Sequence, residues 1–300
     1  MNSFLMIFLD GVGIGEEDSR SNIFFKYGFK TFTEIFGEIP SLKHSILNKN
    51  NSYLFPSDAR LGVEGFPQSG TGQTSIFCGI NASKYIGKHF GPFPYSTLIP
   101  EIDEKNIFKT FINLGGNVFF ANAYPKLFFD YLKSGKSRLS ASALSSKLSG
   151  LKFNTSTDVR LGKALTAEIT NERWNNKLGY RLKILTPKSA ARRLMKIAGE
   201  NNFTLYEYFM TDYLGHGRYD GDAQCLLNIL DEFLFTIITE LKEDITLIIC
   251  SDHGNVEDIS IKTHTLNPAL TITSGKYAEK LFNEIQDLTH IKPAIMRLGQ

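Results

Sequence analysis

The sequence predicts an α/β fold, a three-layer sandwich with a mostly parallel central sheet and a small cap insertion. Short apolar runs rich in Phe, Val and Ile read as strands buried on both faces. Segments with helical apolar spacing alternate with them, as parallel connections require. Acids and histidines follow directly on several of these runs, where an open α/β sheet gathers its ligands. The chain has 300 residues, 42% hydrophobic and 21% charged, an ordinary composition for a globular protein. Lys plus Arg number 33 and Asp plus Glu 31, so the net charge is +2. A dedicated nucleic-acid binder needs a clear cationic excess, so none is expected here.

The first strand is Phe4–Leu9. It has no basic leader, its apolar run is too short for a secretory segment, and Asp10 ends it. Gly11, Gly13 and Gly15 follow as GxGxG, not GxGxxG, and no helix starts there. A dinucleotide site is therefore not expected. The segment FPQSGTGQTSIFCGINA reads as a loop leading into a helix from Thr74 to Ile80. Ser69, Gly70, Thr71 and Gly72 would lie at its N-terminus, where N–H groups and the helix dipole favour a phosphoryl oxygen. A helix over Ile107–Leu114 precedes a second strand at Val118–Ala121.

Residues 124–163 carry eight basic side chains against two acids, Asp130 and Asp158. Such a stretch is either a solvated surface or a substrate-facing insertion that attracts an anion. The expected organisation is a core of residues 1–123 and 186–300, with 124–185 as a small basic cap. Thr186-Pro187 caps a helix through Ala198. The strand Thr204–Phe209 leads into TDYLGHG, with Asp212 and His216; Gly215 and Gly217 favour a loop there. Ala223–Leu241 is helical in pattern, and the strand Thr246–Cys250 leads into SDHGN, with Asp252 and His253. His264 lies on the loop beyond. His44, His89 and His290 have no acidic partner at a matching position. Cys78, Cys225 and Cys250 sit in apolar stretches and are expected to be buried, reduced thiols of a cytoplasmic protein. No run approaches the roughly 20 apolar residues of a membrane span.

Three aspartates and three histidines converging on one sheet edge suit two divalent ions, Zn or Mn. Two such ions clamp a phosphoryl group during in-line displacement. A hydroxyl held beside them is a competent nucleophile. The segment after Gln68 supplies two such hydroxyls, Ser69 and Thr71. Asn255 and Glu257 are close enough in sequence to support the ligands from behind.

LDGVGIG, the Ser69 segment, TDYLGHG, SDHGNVED and HTLNP occur in the order found in the alkaline phosphatase superfamily. The chain most resembles the branch of cofactor-independent phosphoglycerate mutase and phosphopentomutase, from Asp10 to Pro268. The resemblance implies one metal site from Asp10, Ser69, Asp252 and His253 and another from Asp212, His216 and His264. It places the nucleophile at Ser69, ten residues before Gly79 and three before Gly72, with Thr71 as the fallback. There are departures. Asn267-Pro268 leads into Ala269-Leu270 where the mutases continue NPVP, and Gln73 stands where they carry a histidine. Only about 60 residues are available for a cap, so the mutase substrate site does not carry over. No Cys-x-Pro-x-Arg pattern of the sulfatases is present. The expected function is a phosphomonoester hydrolase acting through phosphoserine at Ser69. The alternatives are a phosphomutase or a metal-stabilised binding protein without turnover. Gly70, Thr71, Gln73, Asn255, Arg138 and Arg160 are the expected substrate contacts. The expected partner is a small phosphorylated molecule, with neither nucleic acid nor membrane.

Overall fold

The computed structural model describes residues 2–299. Seven strands form one sheet: β1 (Ser3–Leu9), β2 (Leu47–Lys49), β3 (Ser52–Ser57), β4 (Val118–Phe120), β5 (Phe203–Tyr208), β6 (Ile245–Cys250) and β7 (Ala269–Gly275). Their order is β2-β3-β7-β6-β1-β5-β4. The pairs β4–β5, β5–β1 and β1–β6 are parallel; β6–β7, β7–β3 and β3–β2 are antiparallel. Only β2 and β7 therefore run against the other five, and the sheet is mixed but mostly parallel.

β1 is central because its side chains have no polar face to show water. Leu5, Ile7 and Leu9 enter one core cluster, with Leu194 and Phe233 from the helices Pro187–Gly199 and Ala223–Thr239. Phe4, Met6 and Phe8 enter the other, with Phe77, Phe108 and Ile295 from the helices Ser69–Cys78, Ile107–Asn113 and Ile291–Leu298. Alternate side chains thus fill two layers of helices, the three-layer arrangement expected of a two-sided apolar strand. The four anticipated strands all form. β2, β3 and β7 were not anticipated. β3 contains Pro56, which reads as a strand breaker but pairs with Leu270 near one side of the sheet.

Two local expectations change. The helix expected from Thr74 begins at Ser69 and ends at Cys78. TDYLGHG is not a loop: Met210–Gly215 is a short helix, and His216 is its C-terminal cap. Thr186 caps its helix as read, its hydroxyl accepting from the Ser189 N–H at 3.1 Å.

Residues 124–185 fall into two packing environments. Leu139, Ala141 and Ala143 join the core cluster that contains Phe4, and the helix Ala141–Leu148 packs on Ser69–Cys78. Further along, Val159, Ala164, Trp174 and Leu182 form a small separate cluster with Ala123. The eight basic side chains of 124–163 are all exposed. Among the described residues no helix is long and apolar enough to cross a membrane.

The cysteines need a correction. Cys78 and Cys250 are buried, but Cys225 is exposed. It lies in the first turn of the amphipathic helix Ala223–Thr239, ahead of the buried Leu226 and Leu227. Burial pushes the Cys78 thiol up to about 12 and the Cys250 thiol higher still. A thiol-labelling reagent at neutral pH is therefore expected to modify Cys225 alone in the native chain and all three cysteines in denaturant. Peptide mapping of the labelled chain checks this; rapid native labelling of Cys78 or Cys250 would contradict the packing.

Candidate metal centre and active site

β6, β1 and β5 are neighbours and parallel, so their C-terminal ends open on one edge of the sheet. Each end delivers an acid. Asp10 follows β1 directly, Asp212 lies in the helix after β5, and Asp252-His253 follows β6. In that helix Asp212 and His216 are four apart, so both project from one side. His216 Nε2 is 3.3 Å from Asp212 Oδ1. His264 arrives on the loop before β7, its Nε2 3.5 Å from the same oxygen.

The six residues form one continuous cluster. His253 Nε2 lies 3.5 Å from both Asp10 Oδ1 and Asp252 Oδ2. The rings of His253 and His264 stack at 3.6 Å between centroids. Donor atoms of Asp10, Asp252 and His253 all lie within 4.8 Å of one another, as do those of Asp212, His253 and His264. His216 joins through its Nε2, 3.1 Å from His264 Nε2. Ser69 Oγ is 3.1 Å from His253 Nε2, so the first residue of its helix faces the cluster. Thr71 does not. It is fully buried, its hydroxyl donates to the Gln68 carbonyl and it accepts from the Phe90 N–H. The N–H groups of Thr71 and Gly72 are also engaged, by Phe90 and Gln68, so the helix terminus offers fewer free donors than the sequence suggests.

Supporting residues hold this geometry. Gln73 donates its amide to both Asp10 Oδ2 and Asp252 Oδ2 at 3.4 Å. Asn255 donates to Asp212 Oδ1 at 2.8 Å. Glu257 is buried and accepts from the N–H groups of Gly13 and Asn255, the Thr265 hydroxyl and the Asn267 amide. It thereby ties the loop after β1 to the loops on either side of His264. Two glycines permit close approach. A Cβ on Gly72 would stand 2.9 Å from the Asp252 carbonyl oxygen, and one on Gly215 would stand 2.2 Å from Asn255 Oδ1.

The electrostatics are strained in the protein alone. Burial, then repulsion by Asp252 and Asp212, pushes the Asp10 carboxyl well above the usual carboxylate range. Burial and the Asp212 charge push Asp252 up to about 7. At Asp212 burial is outweighed by hydrogen bonding from His264 and Asn255 and by nearby histidines, which hold it at about 2. Burial and His264 push His253 well below the ordinary imidazole value.

A cavity of about 670 Å³ opens beside the cluster, with Asp10, Ser69, Gln73 and Asp212 in its lining. Arg138 and Arg160 are not in that lining. Arg138 borders a neighbouring hollow near Phe90, and Arg160 bonds to Ser156 on the surface. The cations that do line the cavity are Arg173, Lys177 and Arg218. Sequence reading missed all three. Arg218 stands two residues after His216, a proximity that could have flagged it. Arg173 and Lys177 reach the cavity only because the small Trp174 cluster turns their helix toward it.

A family model described as the metalloenzyme superfamily matches residues 2–299. The chain belongs to the metalloenzyme superfamily. Solved structures place its fold among alkaline phosphatases. A Pyrococcus horikoshii protein is 13% identical, with 99% of this chain and 96% of that one covered and a TM-score of 0.52. Alkaline phosphatase from the Antarctic bacterium TAB5 is 14% identical, with 99% and 98% covered and a TM-score of 0.50. A cold-active alkaline phosphatase from Shewanella sp. is 11% identical, with 98% and 99% covered and a TM-score of 0.51. No curated protein matches by sequence.

Membership in the metalloenzyme superfamily implies divalent metal ions, and the cluster fits them. Asp10 Oδ1 is buried without a hydrogen-bond partner among the described residues. His216 Nδ1 lies 2.8 Å from the Lys262 carbonyl and His264 Nδ1 2.6 Å from that of Pro67. Those carbonyls hold the Nδ1 protons, so in the neutral pair the two Nε2 lone pairs face each other. Crowded carboxylates and opposed imidazole lone pairs are both relieved by a cation.

Glu257→Gln keeps the shape of this metalloenzyme superfamily site but, whichever way the amide turns, sets its NH2 against at least one group that only donates: the Asn267 amide, or the Gly13 and Asn255 N–H groups. The expected loss of stability is about 1–3 kcal/mol, read by urea denaturation of the metal-free chain. The exposed control Glu279→Gln should change stability by under about 0.5 kcal/mol. Equal behaviour of the two variants would show that Glu257 does not organise the loops.

Proposed function

We propose that the chain is a two-metal phosphomonoester hydrolase with Ser69 as nucleophile. The observation that carries this reading is the placement of the Ser69 hydroxyl, 3.1 Å from His253 Nε2 in the cavity that Asp10 and Asp212 also line. Asp10, Asp252, His253 and Ser69 would hold one ion, and Asp212, His216 and His264 the other. Bound there, zinc or manganese would acidify the Ser69 hydroxyl and neutralise phosphoryl oxygens.

The chain's own residues do the rest. Ser69 Oγ forms a bond to phosphorus as the ester P–O bond breaks, and the alcohol leaves carrying the serine proton. Water then cleaves the phosphoserine, releasing phosphate and restoring the hydroxyl. Gln73 holds the Asp10 and Asp252 carboxylates in register from behind. Arg218 has no side-chain hydrogen bond or ion pair among the described residues, so its guanidinium is available to an anionic substrate at the cavity. Hydrolysis is favoured over transfer to a second hydroxyl because the lining includes the exposed Phe93, Phe209 and Tyr213, which leaves the cavity open to water. The three free thiols suit a reducing compartment, and we assign the cytoplasm.

Elemental analysis of chain purified without chelator should find close to two zinc or manganese ions. Asp252→Asn should lower that content and the activity together, with the circular dichroism of the fold retained. Unchanged metal content would remove Asp252 from the ligand set. Ser69→Ala should reduce kcat/KM for phosphate esters by about 10³-fold or more. The wild type alone should then yield phosphoserine at position 69 on acid quenching. A fully active Ser69→Ala would overturn the nucleophile, and product formed without free phosphate would turn the reading to a mutase.

A further inference from the structure

Asp10, Ser69, Gln73 and Asp212 make up only part of the cavity lining. The remaining lining includes six aromatic side chains, Phe93, Tyr124, Phe128, Trp174, Phe209 and Tyr213, beside polar groups that include Glu168 and Glu207. These rings come from separate parts of the chain. Tyr124 and Phe128 stack at 4.0 Å between centroids after β4, and Phe209 and Tyr213 lie 6.1 Å apart after β5. Phe93, Phe209 and Tyr213 keep more than a third of their surface exposed. Large apolar rings left open beside polar, reactive groups mark a ligand surface rather than a core. A phosphate bound near Ser69 must project its alcohol into this space. A compact polyol could reach the polar groups of the lining, such as Asn122 and Glu168, but would leave the rings wet. A planar aromatic group would cover them.

We infer that the preferred substrate is a phosphate monoester whose alcohol carries a planar aromatic ring system, of the nucleoside 5′-monophosphate class. This inference rests on the phosphohydrolase reading for the chemistry but not for the binding. The volume of about 670 Å³ lies in the range of pockets that enclose drug-sized ligands, well beyond what inorganic phosphate needs. Arg173 and Lys177 share one carboxylate, Asp220, at 2.8 and 2.6 Å, so both side chains are held in the wall and one of their two charges is offset. Arg218 is the cation at this cavity left for an anionic or π-faced ligand.

The test compares adenosine 5′-monophosphate with ribose 5-phosphate. Both are primary-alcohol esters, so leaving-group chemistry is matched and the base is the main difference. The expected kcat/KM ratio is about tenfold or more in favour of the nucleotide, expressed mainly in KM, as one base–aromatic stack provides. Phe209→Ala and Tyr213→Ala should narrow that ratio. A ratio near one, or in favour of ribose 5-phosphate, overturns the inference while leaving the hydrolase reading intact. A second measurement needs no turnover. Trp174 is the chain's only tryptophan and lines the cavity, so adenosine should quench its fluorescence saturably, and more weakly in Phe209→Ala. If neither ester is hydrolysed, saturable quenching still supports the aromatic subsite, and its absence overturns it.

Discussion

Like-charge crowding at the ends of three adjacent strands is the constraint on which the rest of this protein depends. Asp10, Asp212 and Asp252 are brought together out of water, where three carboxylates repel one another and lose hydration. The protein alone relieves this in part. His264 and Asn255 stabilise the Asp212 charge, and Gln73 bridges the other two acids. Asp10 Oδ1 is still left without a hydrogen-bond partner among the described residues. Such a cluster lowers stability unless positive charge arrives, so fold and metal binding are thermodynamically linked.

The sheet makes the crowding possible. Because β6, β1 and β5 are adjacent and parallel, residues that follow them share one edge although they lie far apart in sequence. The two core clusters hold that edge still, since β1 is packed on both faces by helices. The antiparallel return through β7 then brings the His264 loop across the same edge. Glu257 secures the join, gathering donors from the segments around Gly13, Asn255, Thr265 and Asn267. A buried carboxylate with that many donors is costly to disturb and leaves the clustered acids and histidines little freedom.

Beyond the polar floor the cavity changes character. Its wall is built by the stretch after β4, the Trp174 cluster and the short helix after β5. On the proposed reading, the floor would serve phosphoryl chemistry for any ester, and selectivity would reside in the wall, where apolar rings discriminate between alcohols by how much of them can be desolvated. The exposed basic residues of 124–163 contribute little to it.

Local pattern determined a good deal about this protein. The strands β1, β4, β5 and β6 and the long helices were legible because two-sided apolar runs and helical periodicity are properties of contiguous residues. The acids and histidines were legible because they follow those strands directly and because few other histidines compete for the role. The helix at Met210–Gly215 was not, since its glycines argue against a helix unless Asn255 needs the space that Gly215 leaves. Spacing favoured Ser69 and left Thr71 as the fallback; the structure separates them, with the Ser69 hydroxyl against His253 and that of Thr71 engaged by Gln68 and Phe90. Arg138 and Arg160 were chosen by charge density, yet Arg173, Lys177 and Arg218 line the cavity. Tertiary structure decided these points because a side chain's neighbours come from distant segments, and charge or hydroxyl count along the chain carries no information about which way a segment turns.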